Sequence, residues 1–190
     1  MQVKKIVIIG PESTGKSSLC EKLALHYHTR WVPEFARSYL LENGMKYTEA
    51  DLLKIAKGQL ALEDQYMHSI QRQHPAPRVL FIDTNMYVMK VWSDFVFKKS
   101  DPWIIEQLTL RKYDLYLLCN IDLPWVQDEL REYPDIQTRK RLYDIYSGLL
   151  ESQRTPWTAI SGNYEERLKK AISAVDMLLE HGHPDKHSFK

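Results

Sequence analysis

An α/β fold is what this sequence predicts: a parallel five-stranded sheet with helices on both faces. Three observations predict it. Short apolar runs alternate with longer segments of helical spacing from one end of the chain to the other, the pattern of a sheet built from strand–helix–strand units. The first run, Lys5 to Ile9, is β-branched and stops at Gly10-Pro11, as a strand buried on both faces does when it gives way to a loop. With 190 residues, 44% of them hydrophobic and 27% charged, the chain has the length and composition of one globular domain. That domain is expected over residues 1–182, with 183–190 as a frayed tail.

The elements follow in order. After the glycine loop, Leu19, Leu23 and Tyr27 recur at helical spacing, which predicts a helix from about Lys16 to His28. Arg30 to Pro33 is a short candidate strand, and Glu34-Phe35-Ala36-Arg37 follows as a loop or a helix start. Thr48 to about Gln73 reads as a long helix: Thr48 and Asp51 have capping-box spacing, and Leu52, Ala56, Leu60 and Met67 line one face. Gly58 lowers the helical propensity of that stretch. His74-Pro75-Ala76-Pro77 breaks it, and Val79 to Ile82 is a second buried strand, ending at Asp83. Asp101-Pro102 is a further break before a short helix at Trp103 to Leu110. Tyr113 to Cys119 is the next strand, followed by a polar, proline-bearing stretch from Asn120 to Asp135 that reads as a mobile loop. A helix at Ile136 to Glu151 presents Leu142, Ile145 and Leu149, and Trp157 to Ile160 supplies the last strand. The final helix has Asn163 as cap, Glu166 three residues on, and a stripe of Leu168, Ile172, Val175 and Leu179.

Charge and cysteine content narrow the partners. Lys and Arg number 26 against 25 Asp and Glu, a net charge of +1, so no overall field steers the protein onto nucleic acid or anionic lipid. Neither nucleic acid nor membrane is expected as a partner, and anion binding is expected to be local. Cys20 and Cys119 have no spacing of a disulfide framework or zinc site. The apolar run at the amino end is shorter than the roughly 7–15 residues of a signal peptide, and nothing approaches the roughly 18 apolar residues of a membrane span. A cytoplasmic location is the expectation. Seven histidines show no ligand spacing, and His181, His183 and His187 in the tail are expected to be solvated.

Gly10-Pro11-Glu12-Ser13-Thr14-Gly15-Lys16-Ser17 matches the phosphate-binding pattern GxxxxGK[ST] in full, at the junction of a strand and a helix. Glycines let the backbone wrap so that its amides point inward, and the helix that follows places its positive end at the anion. The site residues expected around ATP are therefore Gly10, Glu12, Ser13, Thr14, Gly15, Lys16, Ser17 and the adjoining Ser18. Lys16 should reach the β- and γ-phosphates and the Ser17 hydroxyl should sit on Mg²⁺. Asp83, at the end of an apolar strand, is the expected second Mg²⁺ partner, directly or through water.

In parallel sheets ligands bind beyond the carboxyl ends of the strands, and several further residues fall there. Glu34 would accept the proton of an attacking hydroxyl in a kinase, a role for which Asp83 is the competing residue. Arg37, roughly one helical turn on, either shares a ligand with Glu34 or pairs with it on the surface. The 120–135 stretch holds Trp125, Asp128 and Arg131, with Arg139 and Arg141 just beyond. Arginines on a closing lid neutralise charge on a transferring phosphoryl group and exclude water, and Arg131 is the expected one. Ser161-Gly162-Asn163 follows the last strand, where Asn163 would contact a nucleobase or simply cap its helix. Phe35, Tyr39, Tyr87, Trp92 and Trp125 are the aromatics available to stack on a flat ring.

Gly10 to Ser17, Val32-Pro33-Glu34-Phe35-Ala36-Arg37, Ile82-Asp83-Thr84-Asn85 and Pro124-Trp125 with Asp128 and Arg131 together resemble the ribosylnicotinamide kinase domain of NadR-type proteins, within an AAA_28-like ATP-binding family. The similarity spans roughly residues 3 to 178. It implies the P-loop fold of nucleoside and nucleotide kinases with a lid at about 120–135, and phosphorylation by ATP, with Mg²⁺, of the 5′-hydroxyl of nicotinamide riboside. Lys16, Glu34, Asp83 and Arg131 would be catalytic, and Glu34, Phe35, Arg37, Asn85, Tyr87 and Trp125 would meet the nucleoside. Bifunctional members carry an adenylyltransferase module with an HxGH signature ahead of the kinase; here the first strand begins almost at Met1 and His181-Gly182-His183 lies at the other end. No adenylyltransferase or DNA-binding role is expected. The alternative is an ATP-binding or ATP-hydrolysing regulator acting on a partner. A GTPase is disfavoured: Thr84, Asn85 and Met86 replace the xxG of DxxG, and Asn120-Ile121-Asp122 falls one residue short of NKxD.

Overall fold

Five strands pair in parallel in the order β2-β3-β1-β4-β5. The structure, a computed structural model, describes residues 2–73 and 78–181; the expected break at 74–77 and the expected tail, with His183 and His187, lie outside the described residues. In chain order the elements are β1 (Lys4–Ile9), α1 (Lys16–His26), β2 (Trp31–Val32), α2 (Phe35–Asn43), α3 (Glu49–Gln71), β3 (Val79–Asp83), α4 (Met86–Phe97), α5 (Pro102–Leu110), β4 (Leu115–Cys119), α6 (Ile136–Glu151), β5 (Trp157–Ile160) and α7 (Tyr164–His181).

The alternation of side chains along each strand feeds two separate cores. Ile6 and Ile8 of β1 join Leu19 and Leu23 of α1 and Val175 and Leu178 of α7 on one face. Val7 and Ile9 join Val88 and Val91 of α4 and Leu142, Tyr146 and Leu150 of α6 on the other. A third cluster fastens α2 and α3 to α4 and α5 through Leu40, Leu52, Ile55, Met89 and Ile104. Because every strand runs the same way, the ends of β1, β2, β3 and β4 open onto one edge, and Gly10, Glu34, Asp83 and Asn120 are brought together there.

Local signals explain most boundaries. Thr48 and Asp51 form the reciprocal capping box that starts α3. Asp101 and Asp135 cap α5 and α6 through their side chains, and Asn163 Oδ1 accepts the amides of Glu165 and Glu166 at the start of α7. Glu34-Phe35-Ala36-Arg37 resolves as the N-terminus of α2, with Glu34 at the cap position. Gly58 has a packing reason: a Cβ there would lie 2.2 Å from Phe35 Cε1, so the ring seats directly on the helix backbone.

Three readings are corrected. Helix α4 is absent from the predicted elements; apart from Lys90, Ser93 and Asp94 it is apolar, and it packs on α3, α5 and α6, so its apolar side is broad rather than a narrow stripe. On α6 the buried residues are Arg139, Leu142, Tyr146 and Leu150, and Ile145 of the predicted face is exposed. On α7 the buried line is Ala171, Ala174, Val175 and Leu178, with Leu168, Ile172 and Leu179 at its margin. In both helices Arg139, Tyr146, Ala171 and Ala174 enter the core beside Leu142, Leu150, Val175 and Leu178, which turns the buried face away from the predicted one. Among the described residues no helix is long and apolar enough to cross a membrane.

Candidate active site

The phosphate loop is shaped by residues that tolerate left-handed backbone. Gly10 has φ +143° and lies so close to β4 that a Cβ would sit 2.7 Å from the Cys119 carbonyl oxygen, which admits only glycine. Gly15, at φ +76°, is the N-cap of α1, so the loop's amides and the helix dipole meet at one hollow. Thr14 Oγ1 and Lys16 Nζ both donate to the Pro11 carbonyl, at 2.8 and 2.9 Å, and hold the loop round.

Arg167 of α7 braces it from behind. This buried guanidinium donates to Gly162 O at 2.7 Å, to Thr14 O at 2.9 Å and to Asn120 O at 2.9 Å, and pairs with Asp122. Three loops are thereby fixed to one cation. Asp122 also accepts the Gly162 amide at 2.6 Å.

Asp83 closes the floor. Its Oδ2 accepts Ser17 Oγ at 2.5 Å, while Oδ1 is buried with no hydrogen-bond partner among the described residues. Burial first, and then the charge of Glu34, push this carboxyl above the usual carboxylate range, with Lys16 and the Ser17 hydrogen bond pulling the other way. An unsatisfied buried carboxylate oxygen beside a hydroxyl is a donor set that suits a hard divalent cation. Among the described residues no group of three or more His, Cys, Asp or Glu side chains forms a protein-only metal site.

Glu34 is set by a residue that the sequence reading did not single out. Gln59 of α3 is buried; its Oε1 accepts the Phe35 amide at 2.7 Å and its Nε2 donates to Pro33 O and Asp83 O, each at 3.3 Å. One amide thus brackets Glu34 on both sides and ties it to the end of β3. A polar residue within the apolar stripe Leu52, Ile55, Ala56, Leu60 was the available signal. Thr84 Oγ1 lies 3.5 Å from Glu34 Oε1 on a backbone with φ +77°, an uncommon conformation for a β-branched residue and the kind of strain found at functional sites.

A cavity of about 310 Å³ joins these parts. Gly10 to Ser18, Glu34, Arg37, Asp83 and Arg131 all line it, and beyond the loop its wall is made by Tyr47, Trp92, Phe95, Tyr133 and Tyr146. Of these aromatics only Trp92 was among the sequence candidates. Phe35, Asn85, Tyr87, Trp125 and Asn163 are not among its lining residues. Phe35 seats on Gly58, Asn85 caps α4 and donates to Tyr116 OH at 3.2 Å, Tyr87 packs edge-on to Tyr116, and Asn163 caps α7. Trp125 lies under Arg139, 5.5 Å from guanidinium carbon to ring centroid.

Residues 120–135 carry no helix or strand, yet they are fastened across the cavity mouth rather than free. Glu12 Oε2 accepts the amides of Glu132 and Tyr133 at 2.9 and 3.2 Å. Ser13 Oγ accepts the Val126 amide at 2.9 Å and Arg131 Nη1 at 3.3 Å. Arg37 does not pair with Glu34; it makes a two-pronged contact with Asp128 at 3.2 and 3.0 Å. Arg139 is buried, its Nη2 3.4 Å from both Ser13 O and Leu123 O and its Nε without a partner among the described residues. Burial and the neighbouring Arg131 lower its pKa.

A parallel sheet in this order, with a glycine-shaped anion hollow after β1 and an acid ending β3, defines a phosphate-loop nucleotide-binding protein of the fold used by nucleoside and nucleotide kinases. More particularly, a family model described as AAA_28, an AAA domain, matches residues 5–167, and the chain belongs to that family. It is 27% identical over 180 residues to the trifunctional NAD biosynthesis/regulator protein NadR of Escherichia coli (strain K12), covering 91% of this chain and 42% of that protein. The NadR of Salmonella typhimurium is 27% identical over 188 residues, covering 95% and 44%. The chain thus spans less than half the length of these relatives. Among solved structures, NadR in complex with NR superimposes with a TM-score of 0.71 at 22% identity, covering 91% of this chain and 48% of that one. Thymidylate kinase from Ehrlichia chaffeensis gives 0.59 at 13% identity, covering 92% and 100%. These likenesses establish the fold.

Proposed function

We propose that this chain is an ATP-dependent kinase acting on the 5′-hydroxyl of a nucleoside, with nicotinamide riboside as acceptor and nicotinamide mononucleotide as product. One observation carries the reading: a single cavity is lined by the phosphate loop, by Glu34, Asp83 and Arg131, and by the aromatic side chains of Tyr47, Trp92, Phe95, Tyr133 and Tyr146. Groups suited to a phosphoryl donor and groups suited to a flat acceptor thus share one cavity. The curated relatives supply the acceptor, since both are NAD biosynthesis proteins and one NadR structure holds NR; a second NadR structure, with NAD and AMP-PNP, favours ATP as donor.

In this reading ATP lays its triphosphate on the amides of the loop, and Lys16 turns from the Pro11 carbonyl to the phosphates. Ser17 and Asp83 would hold Mg²⁺, whose charge would offset that of the phosphates. Glu34 takes the proton in preference to Asp83, because Asp83 is engaged by Ser17 and assigned with it to Mg²⁺, while Glu34 lines the same cavity without that role. As the 5′-oxygen bonds to the γ-phosphorus and the bond to the β-phosphate oxygen breaks, the hydroxyl proton passes to Glu34 and ADP leaves. Lys16 and Arg131 offset the charge on the transferring group, and residues 120–135 act as the lid that keeps water out. A panel of nucleosides assayed with ATP tests this: ADP should form with nicotinamide riboside and not in its absence. Turnover independent of every nucleoside would favour the regulatory alternative, and no turnover with any nucleoside would remove the proposal.

A further inference from the structure

Two residues of the phosphate loop give their side chains to the 120–135 segment. A carboxylate aimed at a triphosphate would oppose its binding, and a buried carboxylate is costly unless hydrogen-bonded. Glu12, half-buried, meets that need at the 120–135 segment, because its Oε2 takes both the Glu132 and the Tyr133 amides. Ser13 does the same with the Val126 amide and Arg131 Nη1. The two amides on Glu12 immediately follow Arg131 in the chain, so the carboxylate fixes the backbone on which that arginine is mounted.

Residue 132 also faces the other way. Its carboxylate accepts Tyr47 OH at 3.0 Å, and Tyr47 OH accepts Trp92 Nε1 at 2.9 Å; both aromatics line the cavity. Phosphate loop, lid and acceptor wall are therefore one hydrogen-bonded chain, Glu12 to the Glu132 amide and the Glu132 carboxylate to Tyr47 and Trp92.

We infer that Glu12 is a positioning residue: its carboxylate sets the height of the lid backbone that carries Arg131, and Glu132 passes that setting to Tyr47 and Trp92 in the acceptor wall. The kinetic part of this rests on the kinase reading above; the clasp itself does not, and it has its own readout.

Amide hydrogen exchange on the full chain without nucleotide measures the clasp directly. The Glu132 and Tyr133 amides should exchange slowly in the wild type and in Glu12→Gln, which keeps an acceptor oxygen, and about tenfold faster or more in Glu12→Ala. Kinetics then separate positioning from nucleotide binding. Glu12→Ala should lose on the order of 10²-fold in kcat for transfer, with ATP affinity unchanged or tighter and a larger share of ATP lost to water. Glu12→Gln should recover activity to within about threefold of wild type. Tyr47→Phe, which removes the hydroxyl joining Glu132 to Trp92, should raise the acceptor KM roughly threefold to tenfold and leave the ATP KM alone. Rapid exchange of the two amides in the wild type would overturn the inference whether or not Glu12→Ala folds. So would a Glu12→Gln as impaired as Glu12→Ala, an ATP affinity that falls in step with kcat, or an unchanged acceptor KM in Tyr47→Phe. A wild type that phosphorylates no nucleoside would sink the kinase reading while exchange still decides the clasp.

Discussion

Replacing Arg167 by methionine removes a cation while keeping most of the side-chain volume, and the structure sets the size of the effect. The guanidinium supplies donors to three main-chain carbonyls, Gly162, Thr14 and Asn120, and to the Asp122 carboxylate. Hydrogen bonds to a charged group contribute about 1.5–3 kcal/mol each, but the wild type spends much of this on desolvating the cation. The variant keeps neither compensation: the carbonyls lose their donor and Asp122 loses its partner. Breaking a buried pair from one side costs about 3–5 kcal/mol. Asp122 is 35% exposed, which shifts the expectation toward about 3 kcal/mol, a fall of roughly 6–12 °C in Tm for a domain of this size. Denaturant unfolding of wild type and Arg167→Met, with unchanged m-values, measures it, and nucleotide affinity should weaken in parallel because Thr14 belongs to the phosphate loop. A loss below about 1 kcal/mol would show that water or rearranged loops replace the guanidinium and that the bracing argument is wrong.

Other perturbations probe other parts of the site. Lys16→Ala should reduce transfer by about 10²-fold or more with the fold intact; activity near wild type in the ATP assay would count against its contact with the phosphates. Gly58→Ala gains about 1 kcal/mol of helix propensity, yet its Cβ would meet the Phe35 ring at 2.2 Å, an overpacking that costs about 1–3 kcal/mol. The expected net result is destabilisation of about 1 kcal/mol with a raised acceptor KM, since Phe35 adjoins Glu34; a stabilised variant would contradict it. Arg111 holds Asp64 below the usual carboxylate range, so this pair contributes stability above the ordinary carboxyl pKa of about 4 and loses it as pH falls through the depressed value. Stability measured between about pH 6 and pH 2 should fall less steeply in Asp64→Asn than in wild type.

The phosphate loop was fully legible because its chemistry sits in consecutive residues: amides, lysine and hydroxyl are fixed relative to one another by one turn and the first turn of α1. Asp83 was legible for a related reason, as the last residue of an apolar run with a definite end. The aromatic wall of the cavity was not. Tyr47, Trp92, Phe95, Tyr133 and Tyr146 come from a loop, two helices and the 120–135 segment, and α4 is apolar over most of its surface, so neither spacing nor periodicity links them. Phe35, Asn85 and Tyr87 had the right residue type and the right place in the chain, but packing directs them to Gly58, to a helix cap and to Tyr116.

By itself, then, the sequence determined the α/β class, the glycine-shaped GxxxxGK[ST] loop after β1 and the acid that ends β3, since each depends on neighbours along the chain. Tertiary structure alone decided that Arg37 reaches Asp128 instead of Glu34, that Gln59 brackets Glu34, and that Glu12 grips the lid. Those contacts join segments separated by tens of residues, and which side chain meets which across such distances follows from how helices settle on the sheet, a cooperative outcome of packing that no local pattern encodes.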